Sequence, residues 1–429
     1  MYPTITQIRT FLSPISSKER LDGMTERTRR ALEEFRRRFD PEGTRDISVF
    51  SVPGRTELSG NHTDHNKGCV LAAPVDLDIL AVVSKRSDGK IRLYSEGVGL
   101  IETDSSFHEP DRESYGTSVS LINGICAEFH NRKITPGGFD AFMTSDVAPG
   151  SGLSSSAAFE VMIGTILNRL YADESFSPYL IARIGQISEN RYFGKPCGLL
   201  DQLACSYGGV VFMDFKDTDH PVVEPIALDL EKLGYALCIT ATGGTHADLT
   251  DAYASLPSDM KQVAACFGKT CLREVDPEAF RKALPELYGK ISHRALLRSF
   301  HFFAENERVL QQKEALLKGD FSTYLSLVRR SGESSFCYLQ NVYLDKTPES
   351  QPLSVALALS ASILENASPS GAWRIQGGGF AGTIQAFVPF SLLDTYREQM
   401  DRVFGAGACK KLSIRGTGAV CLYDKRKAL

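Results

Sequence analysis

Between Pro149 and Ala158 the chain reads Pro-Gly-Ser-Gly-Leu-Ser-Ser-Ser-Ala-Ala, and the apolar residues beyond this block leave it little freedom in how it can fold. Ala158, Val161, Met162, Ile166 and Leu170 recur at helical spacing, so a helix opens near Ser155 and turns that face into a core. A glycine-rich turn leading into a buried helix presents backbone N–H groups without helical partners, together with the positive end of the helix dipole. Such a terminus binds anions, and the glycines let the backbone approach a phosphate closely. The lysine of a Gly-Lys-Ser/Thr phosphate loop is missing. Taken alone, the block reads equally well as a serine-capped helix after a turn.

Two further blocks carry polar chemistry. Pro53-Gly54-Arg55-Thr56-Glu57-Leu58-Ser59-Gly60-Asn61-His62-Thr63-Asp64 sets a turn, one fixed cation and a polar cluster ahead of an apolar strand. Gly377–Gly382 is a glycine run between the short strands Trp373–Ile375 and Thr383–Phe387. Strands are predicted at Ile47–Val52, Ile79–Val83, Ile91–Tyr94, Val210–Phe215 and Tyr235–Thr240. Helices are predicted at Lys18–Phe39, Pro178–Tyr192, Ser258–Phe267, Pro277–Leu284, His293–Leu317 and Ser354–Glu365. The Asp88-Gly89 pair predicts a hairpin joining Ile79–Val83 to Ile91–Tyr94. Mixed strands and helices, without strict alternation, indicate an α+β fold. A length of 429 residues suits two or three domains, and the polar segment Lys216–Glu231 divides the chain into 1–220 and 221–429.

The charge balance is 48 − 52 = −4, which favours no polyanion such as nucleic acid. Arg36-Arg37-Arg38 closes the first helix, where cations suit the negative end, and reads as a solvated face. With no basic-then-apolar N-terminus and no apolar run of about 18 residues, a soluble cytoplasmic protein without membrane contact is expected. The 10 cysteines show no Cys-x-x-Cys spacing and are expected as reduced thiols, and the 8 histidines show no zinc spacing.

In this order and at these distances, the three blocks resemble the signature motifs of the GHMP kinase superfamily, and the first is similar to the galactokinase signature. The resemblance runs from about Phe50 to about Leu422. It implies a two-domain α+β fold with the active site in the cleft between domains. It also implies an ATP- and Mg²⁺-dependent kinase that phosphorylates the anomeric hydroxyl of galactose. On this resemblance Pro149, Gly150, Ser151, Gly152, Leu153, Ser154, Ser155, Ser156 and Ala157 hold ATP, with Gly378 and Gly379 closing over it. Ser155 or Ser156, with Glu189, would hold Mg²⁺. Gly194–Gln202 resembles the segment carrying the family's catalytic aspartate, which makes Asp201 the candidate base and Arg55 its cation. An adjacent arginine lowers the aspartate pKa, so orienting the sugar hydroxyl is an alternative role for Asp201. Asn61, His62, Asp64, Gly198 and Tyr253 are the candidate sugar-binding residues, with His62 and Asp64 toward C3–C6 and Asp201 nearer C1 and C2.

The chain departs from the family pattern at several positions. Asn61 stands where the family has Glu, Glu57 where it has Asn, and His65 where it has Tyr. The pattern Ser-His-x-Ser-Leu-Arg-Asp-x-Tyr is replaced around Ser331–Tyr338, and an arginine pair after Tyr253 has become Leu256-Pro257. An amide at 61 can donate as well as accept and does not repel a negative group. Galactose therefore leads, with galacturonate, fucose and arabinose open as sugars altered at C6. A non-catalytic sugar sensor is disfavoured by the intact Ser154–Ala158, Arg55 and Asp201. A kinase for a non-sugar alcohol such as mevalonate or homoserine ranks last. The expected partners are a small sugar and ATP, with a monomer as the simplest assembly. Trp373, the only tryptophan, precedes the third block and should report ligand binding by its fluorescence.

Overall fold

The computed structural model of the chain describes residues 2–147, 152–243 and 249–427. Its strands are β1 (Ser48–Ser59), β2 (Cys69–Lys85), β3 (Lys90–Ser95), β4 (Gly99–Asp104), β5 (Phe139–Ser145), β6 (Val210–Asp214), β7 (Val222–Ile226), β8 (Tyr235–Ala241), β9 (Ala372–Gln376), β10 (Thr383–Pro389), β11 (Cys409–Leu412) and β12 (Val420–Asp424). Its α-helices are α1 (Ile5–Leu12), α2 (Leu21–Phe39), α3 (Ser118–Asn131), α4 (Ser155–Tyr171), α5 (Pro178–Ser188), α6 (Leu200–Ser206), α7 (Thr250–Cys266), α8 (Pro277–Leu287), α9 (His293–Leu317), α10 (Phe321–Ser334), α11 (Pro352–Leu364) and α12 (Leu393–Phe404). The fold is α+β, with two mixed layers of strands and helices.

The first sheet runs β12-β1-β2-β5-β3-β4, with β6 and β7 continuing from β2. β2 is apolar along most of its length because both faces of the sheet are covered. Leu80 and Val82 meet Leu32 and Phe35 of α2, whereas Ile79, Ala81 and Val83 meet Val161 and Met162 of α4. The second sheet runs β11-β8-β10-β9. One face carries Tyr396 and Met400 of α12. The other shares a core with Leu58, Leu71 and Phe212 of the first sheet and with Tyr324 and Val328 of α10. This shared core fixes the two sheets together and brings the three sequence blocks to one place.

The predicted hairpin at Asp88-Gly89 does not form. β5 lies between β2 and β3, pairing antiparallel with the first and parallel with the second, and β3 makes its hairpin with β4 instead. The Asp-Gly signal is local, while the insertion of β5 is decided by long-range burial of Phe139, Ala141 and Met143. The first block is also more extended than its glycines suggest: β1 continues through Arg55 to Ser59, with register shifts at Pro53/Arg55 and Glu57/Ser59. These irregularities re-aim the side chains beyond them. The polar segment after Lys216 contains a strand, β7, paired with β6, and β12 pairs with β1, so both join the first sheet although they come after residue 220. Arg37 and Arg38 pair with Glu34 on the solvent side of α2. All 10 cysteines are free. Among the described residues no helix is long and apolar enough to cross a membrane.

Candidate active site

Arg55 leaves β1 pointing at the start of α4. Its Nε donates to Asp201 Oδ1 at 2.7 Å and its Nη1 to the Gly152 carbonyl at 2.5 Å, while its backbone N–H donates to Leu153 O at 3.1 Å. The guanidinium is buried, with its side chain 8% exposed, whereas the Asp201 side chain is 37% exposed. Asp201 stands in the first turn of α6 and accepts a second hydrogen bond, from Ser154 Oγ at 2.5 Å. Burial alone would push its carboxyl up, but the charge and hydrogen bond of Arg55, the Ser154 hydroxyl and Lys195 together hold it below the usual carboxylate range. It is a fixed anion at neutral pH, suited to accepting a hydroxyl hydrogen bond.

Gly152 joins all three blocks, because its carbonyl also accepts from Gln376 Nε2 at 3.3 Å, just before the glycine run. Ser154 caps α4 with a left-handed backbone, φ 55°. His62 and Phe380, in the other two blocks, have φ 60° and 59°. Non-glycine residues in that region cost about 1–3 kcal/mol each and persist only where their surroundings enforce them. Leu153 and Ala157 are buried, while Ser154, Ser155 and Ser156 keep part of their surface open. Pro149, Gly150 and Ser151 lie outside the described residues.

Glu189 lies where α5 widens into a π turn, Glu189–Phe193. It is buried; Oε1 accepts from Lys195 Nζ at 3.1 Å and Oε2 from Gln202 Nε2 at 3.1 Å. Gln202 Nε2 also reaches Glu160 Oε2 at 2.9 Å. Burial, and then the charge of Glu189, push the Glu160 carboxyl well up. Glu160 Oε1 and Gln202 Oε1 are buried without a hydrogen-bond partner among the described residues. This corner is thus rich in oxygen and poor in donors, with one lysine drawn to it.

The polar cluster after β1 divides into inward and outward members. His62 Nε2 contacts the Gly378 carbonyl at 2.9 Å, so Nε2 carries the proton, and Nδ1 is the ring's other polar atom. Burial, and then neighbouring His65, push its pKa down to about 3, so it is neutral at physiological pH. The Asp64 carboxylate lies beside Gly198: a Cβ there would meet Asp64 Oδ2 at 2.3 Å, so a larger residue would push that carboxylate out of its place. The Tyr253 hydroxyl donates to Gly379 O at 3.0 Å, and its ring packs edge-on against Phe380 at 5.7 Å. Asn61 is fully buried. Its Nδ2 donates to Gly377 O at 2.8 Å and Glu57 Oε1 at 3.1 Å, and its Oδ1 accepts from Asn341 Nδ2 at 2.8 Å and Ser335 Oγ at 3.3 Å.

Sequence reasoning missed Gln376, Arg374, Asn341, Lys195 and Gln202. Lys195 and Gln202 lie inside the segment Gly194–Gln202 and could have been weighed as its polar members. Asn341 comes after α10 and a left-handed Gln340 in a segment without periodicity, and carried no signal.

The chain matches the GHMP kinases N terminal domain over residues 120–209 and the galactokinase galactose-binding signature over residues 33–85. It is 31% identical over 385 residues to a galactokinase of Actinobacillus pleuropneumoniae, covering 87% of this chain and 92% of that one. It is 30% identical over 383 residues to a galactokinase of Streptomyces coelicolor, covering 88% of this chain and 93% of the relative. The fold is shared with Lactococcus lactis galactokinase complexed with galactose, at TM-score 0.76 and 23% identity, covering 92% of this chain and 99% of that one. It is shared more distantly with a mevalonate kinase, at TM-score 0.61 and 13% identity over 86% and 99%.

Proposed function

Because the chain belongs to the galactokinase family of GHMP kinases, we propose that it phosphorylates the anomeric hydroxyl of galactose with ATP, giving galactose 1-phosphate and ADP. The observation that carries this is the Arg55–Asp201–Ser154 constellation at the start of α4: a buried cation and an accessible carboxylate beside a helix N-terminus. The C1 hydroxyl donates to Asp201, and its oxygen attacks the γ-phosphorus. The bond from that phosphorus to the bridging β–γ oxygen breaks, and ADP leaves with the electron pair. Asp201, held as a weak base, orients the hydroxyl and receives its proton late. Arg55 holds Asp201 in place and lends positive charge as oxyanion character develops. Gly152–Ala157 and the glycines at 378 and 379 surround the phosphates; Asp64, His62, Gly198 and Tyr253 line the sugar side.

The corner around Glu189 fits Mg²⁺, a hard ion that takes few protein oxygens. Glu160 and Gln202 each leave an oxygen without a donor there among the described residues, and Glu189 already attracts one positive charge, the Lys195 ammonium, which a bound ion would have to displace. Glu189 and a hydroxyl of Ser155 or Ser156 would hold the ion, which when bound neutralises phosphate oxygens. The lobes are proposed as 1–220 and 221–429, with β7 and β12 crossing back into the first sheet.

ADP release from Mg-ATP over galactose, galacturonate, fucose, arabinose, glucose and N-acetylgalactosamine tests the reading. Galactose should turn over fastest. Turnover confined to a sugar altered at C6 would reassign the substrate, and silence on all of them with ATP bound would support the sensor.

A further inference from the structure

Three departures from the family pattern meet in one buried cluster, although Glu57 and Asn61 are neighbours in sequence and the third, around Ser335, lies 274 residues beyond Asn61. Glu57 Oε1 accepts from Asn61 Nδ2 at 3.1 Å and from Arg374 Nη2 at 2.8 Å, and Arg374 has no exposed surface. The divergent segment Ser331–Tyr338 faces the same place. Ser331 Oγ donates to Glu305 Oε1 at 2.6 Å, and that oxygen accepts the Gly60 N–H at 3.1 Å. Ser334 Oγ meets His301 Nδ1 at 2.9 Å, and His301 Nε2 meets the Asn61 carbonyl at 2.9 Å. Ser335 donates directly to the Asn61 amide oxygen.

Asn61 offers two amide donors and two lone pairs, and the protein uses all of them. Fully buried, its side chain has nothing left for a sugar. What it holds is the glycine run. Gly377 O is bound by Asn61, Gly378 O by His62 and by Asn341 Nδ2 at 3.0 Å, and Gly379 O by Tyr253. In a trans peptide the next N–H points opposite to the carbonyl. Anchoring the carbonyls of Gly377 and Gly378 therefore turns the N–H groups of Gly378 and Gly379 away from the anchor, available to an anion.

We propose that Asn61 is a positioning residue, not a sugar ligand. With Glu57, Asn341 and Ser335 it forms a latch that sets the Gly377–Gly379 loop for the nucleotide, and the exchange of carboxylate and amide between positions 57 and 61 is one coupled change. The proposal rests on that loop serving ATP, as in the proposed function. An isosteric Asn61→Asp puts a carboxylate against two acceptors, Glu57 Oε1 and Gly377 O, in a buried site where like charges are costly.

The test measures kcat, KM for ATP, galactose Kd by calorimetry, Trp373 emission and Tm for Asn61→Asp, Glu57→Gln/Asn61→Asp and the milder Ser335→Ala. Asn61→Asp should lower kcat/KM for ATP by about 30- to 100-fold and shift Trp373 emission, with galactose Kd within about threefold. The double variant restores one carboxylate and one amide and should recover at least tenfold of the loss, together with Tm. Ser335→Ala should cost a few-fold on the ATP side alone, and it keeps the test alive if Asn61→Asp does not fold. A galactose Kd raised more than tenfold with ATP parameters unchanged would make Asn61 a sugar ligand and overturn the proposal. So would a double variant no better than the single one. If the wild type binds no ATP, the nucleotide reading of the loop fails, while the latch is still judged by Tm coupling and Trp373 emission.

Discussion

Asp201→Asn separates the chemistry of the site from its stability. The carboxylate takes two donors, Arg55 Nε at 2.7 Å and Ser154 Oγ, and among the described residues it is the ion-pair partner of a nearly buried guanidinium. An amide accepts at one oxygen and presents N–H groups on its other side, so one of those two donors loses its acceptor. A hydrogen bond to a charged group is worth about 1.5–3 kcal/mol. Because the Asp201 side chain is 37% exposed, solvent takes up part of the loss, and about 1–2 kcal/mol of stability is expected. That lowers Tm by roughly 2–5 °C. Removing a positioned acid–base group costs about 10²–10⁴ in rate, or ~3–5 kcal/mol of barrier. Chemistry should therefore fail before folding does. ADP release at saturating ATP and galactose should fall at least about 100-fold in a variant that melts cooperatively and binds galactose as the wild type does. The linkage has a definite sign. Asp201 is depressed in the folded state, so its contribution is present above the unfolded carboxyl pKa of about 3.9 and is lost as pH falls through the folded value. The variant should lack that contribution above about pH 4, so its stability deficit relative to the wild type should shrink as the pH falls below about 4. A variant with kcat within tenfold of wild type would refute the role given to the carboxylate.

Three further perturbations probe the same geometry. Arg55→Lys cannot hold both Asp201 and the Gly152 carbonyl; kcat should fall about 10- to 100-fold, and the acid limb of the pH–rate profile should move to higher pH as the Asp201 carboxyl rises toward its ordinary value. Lys195→Met removes the cation paired with Glu189 and should tighten Mn²⁺ binding, read by paramagnetic resonance without substrate; unchanged affinity would dissociate Glu189 from the metal. Gly379→Ala places a Cβ 2.1 Å from Asn341 O at φ 83°, so the loop must shift; Trp373 emission should change and KM for ATP should rise several-fold, with activity assays as the check.

Local signals in the sequence located the elements whose formation is local. The helix His293–Leu317 was readable residue for residue, because a serine cap and a long periodic run both mark it. The buried helix after Ser154 was equally plain. The Asp88-Gly89 hairpin misled because β5 competes for the edge of β2 from more than 50 residues away. The site divides in the same way. Arg55, Ser154 and Asp201 could be named from their blocks, and they meet directly. The inward turn of Asn61 could not be read, because its partners Ser335, Asn341 and Gly377 lie 274, 280 and 316 residues away. Only the shared core between the two sheets brings them together.

The most direct measurement is the phosphorus spectrum of a reaction containing the enzyme, Mg-ATP and galactose. The account predicts stoichiometric ADP and one new phosphomonoester, coupled to the anomeric proton of the sugar and absent with Asp201→Asn. A phosphomonoester on any other carbon, or no product from a chain that binds both substrates, would contradict it.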